Sequence, residues 1–250
     1  MLGEDTVVYT RNGFRKIKDL VLFDEVLTPF GDFEPIVEMG PWVEMTKKVE
    51  LSTVENIYCT DNLLWNLVSG SKYTDELERD TSVAGVRFAL ERDDVSYLGY
   101  SPYNYAVVVP KDVPNEIMMG SLDVKLKFLA GLIDSVMCEL GKVDGIYNLY
   151  IGRNYRQLAD EILAFIRSLG LGVARKIVGN NYCITFNVTK YIDILPIRDE
   201  MMACYDYASI GRNIIIRNIE DLSNNDKIMG RKIKVNRGFF LVGYSLVPVC

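Results

Sequence analysis

Over the first third of the chain, apolar and polar positions alternate in short runs broken by turn residues. Val7-Val8-Tyr9-Thr10 is β-prone, and Arg11-Asn12-Gly13 follows it as an Asn-Gly turn. Phe14-Arg15-Lys16-Ile17 resumes a strand. Asp24-Glu25-Val26-Leu27-Thr28 then runs into a second turn at Pro29-Phe30-Gly31-Asp32. Further β-type runs lie at 48–52 and 57–67. Residues 70–96 read as polar and irregular, and 97–110 as tyrosine-rich and β-prone. The expectation for residues 1–115 is a mostly β segment, with Trp42 and Trp65 in its core.

The period changes near Pro114. Ser121 is an N-cap candidate, and Leu122, Leu126, Leu129, Ala130 and Ile133 recur at helical spacing. Residues 142–147 read as a hairpin with an Asp-Gly turn. Residues 156–169 form an amphipathic helix, with Leu158, Ile162, Ile166 and Leu169 on one stripe and Gly170 as its stop. Strands at 172–178 and 182–188 flank Gly179-Asn180-Asn181. A third helix is expected over 191–204, interrupted by Pro196. The middle segment therefore reads α-β-β-α-β-β-α, and from Ile214 the pattern is β again. The expected architecture is multi-domain α+β, with β parts at 1–115 and 209–250 and an α/β insert at 116–208. Insertion of this kind is tolerated where the two ends of the insert lie close together.

Composition narrows the chemistry. The 250 residues contain no histidine. That excludes Ser-His-Asp and Cys-His nucleophile pairs, His-liganded zinc and an imidazole titrating near neutral pH. Catalysis would have to use carboxylates, cysteine, lysine or tyrosine. The five cysteines are widely spaced and form no C-x-x-C, which points to free thiols in an intracellular, reducing compartment. No apolar run is long enough to span a bilayer, and the N-terminus lacks a signal-peptide core, so no membrane partner is expected. The net charge is -6 and uneven. Residues 1–120 hold 21 acids and 11 bases, 121–208 hold 10 and 10, and 209–250 hold 3 and 7. Only the later parts could face a phosphate backbone.

The most specific string is Phe128-Leu129-Ala130-Gly131-Leu132-Ile133-Asp134. Together with the α/β order that follows, it resembles the signature helix of the LAGLIDADG homing endonucleases. The resemblance implies a helix that packs on a twin through small residues, here Ala130 and Gly131, beside a four-stranded saddle on DNA. It also implies a Mg²⁺-binding second Asp. That position is Val136 here, and a valine has no oxygen for a hard cation. Asp134 matches the first Asp and is the remaining metal-ligand candidate. Mg²⁺ is expected only if nuclease activity survives, and no other cofactor is expected. The candidates for a DNA-facing surface are Lys142, Arg153, Arg156, Arg175 and Lys176.

The flanks resemble the Hint fold of the self-splicing inteins. The opening Met1-Leu2-Gly3-Glu4-Asp5-Thr6-Val7-Val8 is similar to that family's Cys-Leu-x-x-Asp-Thr-x-Val. Residues 12–20 and Asp24-Glu25-Val26 match its N-G-x-x-x-I-x-x-L and G-D-x-V stretches, with Phe23 in place of the glycine. Cys59-Thr60-Asp61-Asn62 aligns with a Thr-x-x-His block, and residues 237–250 with the closing block. The resemblance assigns splicing roles to Met1, Asn62, Pro248, Val249 and Cys250. At four of these the side chain cannot do the chemistry: a thioether for the first nucleophile, Asn62 and Pro248 for two histidines, and Val249 for the cyclising asparagine. Only Cys250 keeps the expected type. Met1 is expected to begin a free-standing protein. The function expected is therefore a catalytically inactive, intein- and endonuclease-derived binding or structural component. The alternative is a site-specific DNA-binding protein or nuclease with an atypical metal site. Expected partners are a second copy met through the 121–136 helix, another protein, or duplex DNA.

Overall fold

The computed structural model describes residues 1–86, 89–90, 99–141, 145–196, 214–223 and 227–250. The chain divides into two compact units, Met1–Gly85 with Asn213–Cys250, and Val86–Arg212. It is a multi-domain α+β protein in which a β-rich unit drawn from both ends is interrupted by an α/β insert. Among the described residues, no helix is long and apolar enough to cross a membrane.

The first unit is an antiparallel sheet network around an apolar core that includes Leu2, Val8, Val49, Ile57, Trp65, Ile216, Ile233, Phe240 and Val249. Strands such as Asn56–Cys59 and Leu64–Leu67 alternate because only one face reaches that core, whereas Phe240–Val242 and Val247–Val249 are buried throughout. The expected 57–67 run is two strands, Asn56–Cys59 and Leu64–Leu67. The stretch from 70, expected to be irregular, supplies Gly70–Tyr73 as the antiparallel partner of Leu64–Leu67. Trp65 is buried and its indole N–H donates to Thr74 Oγ1 at 3.0 Å. Trp42, expected in the core, is instead 41% exposed and carries the Arg231 guanidinium 4.6 Å above its ring. A strand that pairs on one side only leaves one ring face to water, and a cation then covers it. Phe23 has φ of 70°, in the left-handed region that favours glycine, which is the residue of the matching G-D-x-V block. Its backbone is pinned there, with its N–H on Ile36 O and Asp24 N–H on Val21 O.

The insert leaves and returns at one place. Val83 pairs with Ile214 and Ser82 with Ile215. Residues 86–115, expected within the β domain, group with the second unit. In the tyrosine-rich 97–110 segment, the described residues 99–110 form no strand. Ser101 caps a helix, α1, at Pro102–Val107, by accepting a bond from Asn104 N. Proline at the first helical position and a serine cap outweigh the β propensity of tyrosine and valine. Residues 97 and 98 of that segment lie outside the described residues.

In the second unit, α2 (Asn115–Met118) leads to α3 (Leu122–Ile133), and α4 (Arg156–Ser168) follows the first hairpin. Gly170, with φ of 68°, ends α4 as its sequence position predicts. Four strands lie in the order Cys138–Leu140, Ile146–Gly152, Asn181–Asn187, Val173–Val178, all antiparallel. One sheet face, with Leu149, Ile151, Ile184 and Phe186, is buried. The described order is thus α-β-β-α-β-β. The third helix is not formed over residues 191–196, which are a 3-10 end and turns, and its remainder lies outside the described residues.

Among the described residues, three of the buried charges brace this unit. The Lys125 ammonium lies in the interior, bonded to Leu90 O and to Ser168 Oγ. It thereby completes the C-terminal end of α4, where a cation is favourable. Asp160 on α4 pairs with Arg175 on the sheet, their side chains 10% and 2% exposed. Asp160→Asn leaves the Arg175 charge buried without its counter-ion and is expected to destabilise the fold by about 3–5 kcal/mol. Arg156→Ala, which removes an exposed partner 3.6 Å from the same carboxylate, is expected to cost under about 1 kcal/mol. Urea denaturation of the two variants checks the contrast.

Candidate functional site

In the first unit, three of the five splicing positions converge. The Leu2–Gly3 strand lies between two neighbours, with Leu2 opposite Cys59 on one side and Arg231 on the other. The approach is close enough that a Cβ on Gly230 would collide with Leu2 O and lie 2.7 Å from Met45 Sδ, so only glycine fits. Thr60 N donates to Met1 O at 3.2 Å. The Met1 nitrogen donates to Thr60 Oγ1 at 2.9 Å, and that hydroxyl donates to Asn62 Oδ1 at 2.6 Å. Cys250 is held by a reciprocal backbone pair with Leu64, at 3.0 and 3.3 Å. Met1, Asn62 and Cys250 all line one cavity of about 550 Å³.

Pro248 and Val249 do not line it. They lie buried in the Val247–Val249 strand, opposite Leu241 and Phe240. What these three splicing positions offer chemically is a thioether, an amide and one thiol. The amide oxygen accepts a bond but Asn62 carries no group that transfers a proton near neutral pH. Cys59, beside the cavity in sequence, is buried and burial pushes its thiol up to about 11. It is a packing residue whose Sγ lies 3.6 Å from Thr74 Oγ1. The sequence reading missed Thr60, the hydroxyl that links Met1 to Asn62, although it lies within the matched Thr-x-x-His block. It also missed Asp61, Asp75, Arg231 and Lys232 on the cavity wall, for which no local pattern exists.

In the second unit, the string Phe128–Asp134 forms the C-terminal half of α3 and its cap. Its small residues face α1: a Cβ on Gly131 would meet Tyr103 O and lie 2.8 Å from Ala106 Cβ. The close approach expected of a twin helix is therefore taken by a helix of the same unit. Asp134 is the C-cap of α3 and accepts a bond from the Tyr103 hydroxyl at 2.8 Å. Val136 is 91% exposed. One carboxylate engaged by a phenol, next to a side chain without oxygen, does not fit a divalent cation. No three His, Cys, Asp or Glu residues cluster as metal ligands among the described residues.

The basic candidates separate. Arg175 points to the buried face, in its pair with Asp160 and 5.5 Å over the Tyr182 ring, so it does not belong to an open saddle. Lys176 alternates to the opposite face, in register with Cys183 and Tyr150. That face is polar rather than basic, with Asn148, Tyr150, Thr185 and Glu139. Arg153 and Arg156 are exposed at the start of α4. Lys142 lies outside the described residues.

Residues 112–195 match the family model described as homing endonuclease. The match covers roughly a third of the chain and contains all of α3 and α4. No characterised protein matched the full sequence. Among solved structures, the crystal structure of the MchDnaB-1 intein aligns over 100% of this chain and 98% of its own, at 10% identity and a TM-score of 0.44. The solution structure of a bacterial intein-like domain from Clostridium thermocellum aligns over 99% and 96%, at 9% identity and a TM-score of 0.44. The gp41-1 intein aligns over 32% of this chain and 64% of its own, at 20% identity and a TM-score of 0.31.

Thiol accessibility tests the site's geometry. Cys250 is exposed, Cys59 is buried, and burial also pushes the Cys138 thiol up to about 12. Both shifted thiols stay protonated, and so unreactive, at pH 8. Alkylation of the native chain at pH 8, mapped by peptide mass, is expected to label Cys250 first. Cys59 and Cys138 should label only after denaturation.

Proposed function

We propose that this chain is an intein- and homing-endonuclease-derived protein that acts as a binding or structural component and carries out neither splicing nor DNA cleavage. The observation that carries the reading is the cavity shared by Met1, Asn62 and Cys250. The positions that resemble a splicing centre lie together, yet Met1 supplies no first nucleophile and Asn62 no proton-transferring group. In the second unit, the motif helix is retained while its acidic end lacks an oxygen donor at Val136. The partner is a protein met by the acidic first half, and the compartment is a reducing, intracellular one, in keeping with the free thiols of Cys59, Cys138, Cys183 and Cys250.

The chain flanked by two reporter domains is expected to give no ligated reporter product. Met1→Cys with Asn62→His is expected to restore thiol-induced cleavage at the upstream junction, because the surrounding hydrogen bonds are intact. Ligation by the unaltered sequence would overturn the reading.

A second reading is favoured by the family match over 112–195: the unit binds duplex DNA on the sheet face that carries Asn148, Tyr150, Lys176 and Thr185. It requires affinity that falls steeply with salt, measured by fluorescence anisotropy. Absence of binding at low salt ends it. Cleavage on adding Mg²⁺ would instead identify a nuclease.

A further inference from the structure

Residues 100–116 carry a surface that neither family resemblance accounts for. Tyr100 precedes α1 and Tyr105 lies within it, their ring centroids 5.7 Å apart. The buried Phe128 ring, 6.4 Å from that of Tyr105, backs the pair. Val108 is the C-cap of α1, three residues on from Tyr105, a spacing that puts two side chains on one helix face. Val109 follows at φ of 64°, a left-handed conformation that β-branched residues rarely adopt. Tyr100, Val108 and Val109 are 42%, 74% and 43% exposed.

Carboxylates rim these side chains. Asp112 is exposed, and its Oδ1 accepts a bond from the Tyr105 hydroxyl. Glu116 on α2 is exposed and has no hydrogen-bond or ion-pair partner among the described residues. Both lie close to Tyr100: burial raises its phenol above the ordinary value, and the charges of Glu116 and Asp112 raise it further. Glu161 on α4 is already engaged, by Val113 N at 3.0 Å and Gln157 Nε2 at 2.9 Å. Lys111 is the single base in this stretch, and it forms no ion pair with either acid among the described residues. The surface therefore combines an aromatic pair, two exposed valines and carboxylates without a counter-ion.

That combination selects one occupant. A second copy would set these acids against themselves, and a phosphate backbone would meet like charge, so neither fits. A guanidinium lies flat on an aromatic ring while it donates to a carboxylate, which a compact, strongly hydrated ammonium does less well. We propose that this surface docks a basic protein segment, with an arginine stacked on Tyr100 and paired with Glu116, and an apolar neighbour on Val108 and Val109. The proposal rests on the reading that the partner is a protein met by the acidic first half, and it names the contact within that half. These few side chains cover far less than the roughly 800 Å² per partner of a standard stable interface, so the contact is a transient one.

The test is NMR titration of the isotope-labelled full chain with the acetylated, amidated peptide Ala-Leu-Arg-Ala-Leu-Arg, and with the same peptide carrying glutamate for arginine. The arginine peptide is expected to shift backbone amides clustered over residues 100–116, and the glutamate peptide to leave them in place. Glu116→Gln and Tyr100→Leu should each weaken the arginine peptide about twofold to fivefold. Glu44→Gln, which removes an exposed acid elsewhere in the first half, should leave its affinity unchanged. All three positions are exposed, so unchanged thermal melting confirms folding. Equal weakening by Glu44→Gln and Glu116→Gln, or no shift over 100–116, overturns the surface. Shifts that cluster elsewhere in the first half overturn it too, and leave the protein-partner reading standing. Reporter ligation overturns the non-splicing reading whatever the titration shows.

Discussion

The arrangement depends on one short antiparallel pairing, Val83 with Ile214 and Ser82 with Ile215. It joins the point where the chain leaves the first unit to the point where it returns. Without it, closing a loop over the whole insert would cost conformational entropy in the β unit. With it, the β unit is completed by residues far apart in sequence. Asn213–Cys250 supplies Met229–Lys234 beside Leu2 and Phe240–Val249 beside Val8 and Trp65. The core of the first unit exists only when both ends are present, so its stability is a property of the split chain.

The same pairing logic builds the cavity. Leu2 is clamped between Cys59 and Arg231, Cys250 is fixed against Leu64, and Thr60 ties Met1 to Asn62. All of these contacts are backbone pairs or bonds to a hydroxyl, and none requires a reactive side chain at Met1 or Asn62. This geometry therefore does not depend on the chemistry of those two side chains. In the second unit, too, a structural contact occupies what would be functional ground: Tyr103 sits on Asp134, and α1 fills the face of Gly131.

Much of this was legible in the chain. The Asn-Gly turn, the stripe Leu158–Ile162–Ile166–Leu169, the stop at Gly170 and the β resumption after Ile214 are local signals, and each element forms where its pattern indicates. Elements whose signals compete were not legible. The 97–110 segment carries β-prone side chains, and a Ser-Pro start turns part of it into a helix because the cap outweighs propensity. Trp42 reads as core by residue type alone, but an edge position leaves it half open.

Alone, the sequence determined which chemistries are absent. With no histidine, with valine at 136 and with methionine at 1, those limits hold in any fold, because they concern atoms the side chains lack. It also determined, through periodicity, the order α-β-β-α-β-β over residues 122–187. The tertiary structure decided which charges meet. Arg175 and Lys176 are adjacent in sequence, yet the pleat sends one into a buried ion pair and the other to the opposite face. Asp75 and Lys232 are far apart in the chain, yet strand order brings both to the lining of one cavity. A charge is written in the sequence, but its partner is set by pairing register, and register is resolved only when the whole sheet closes.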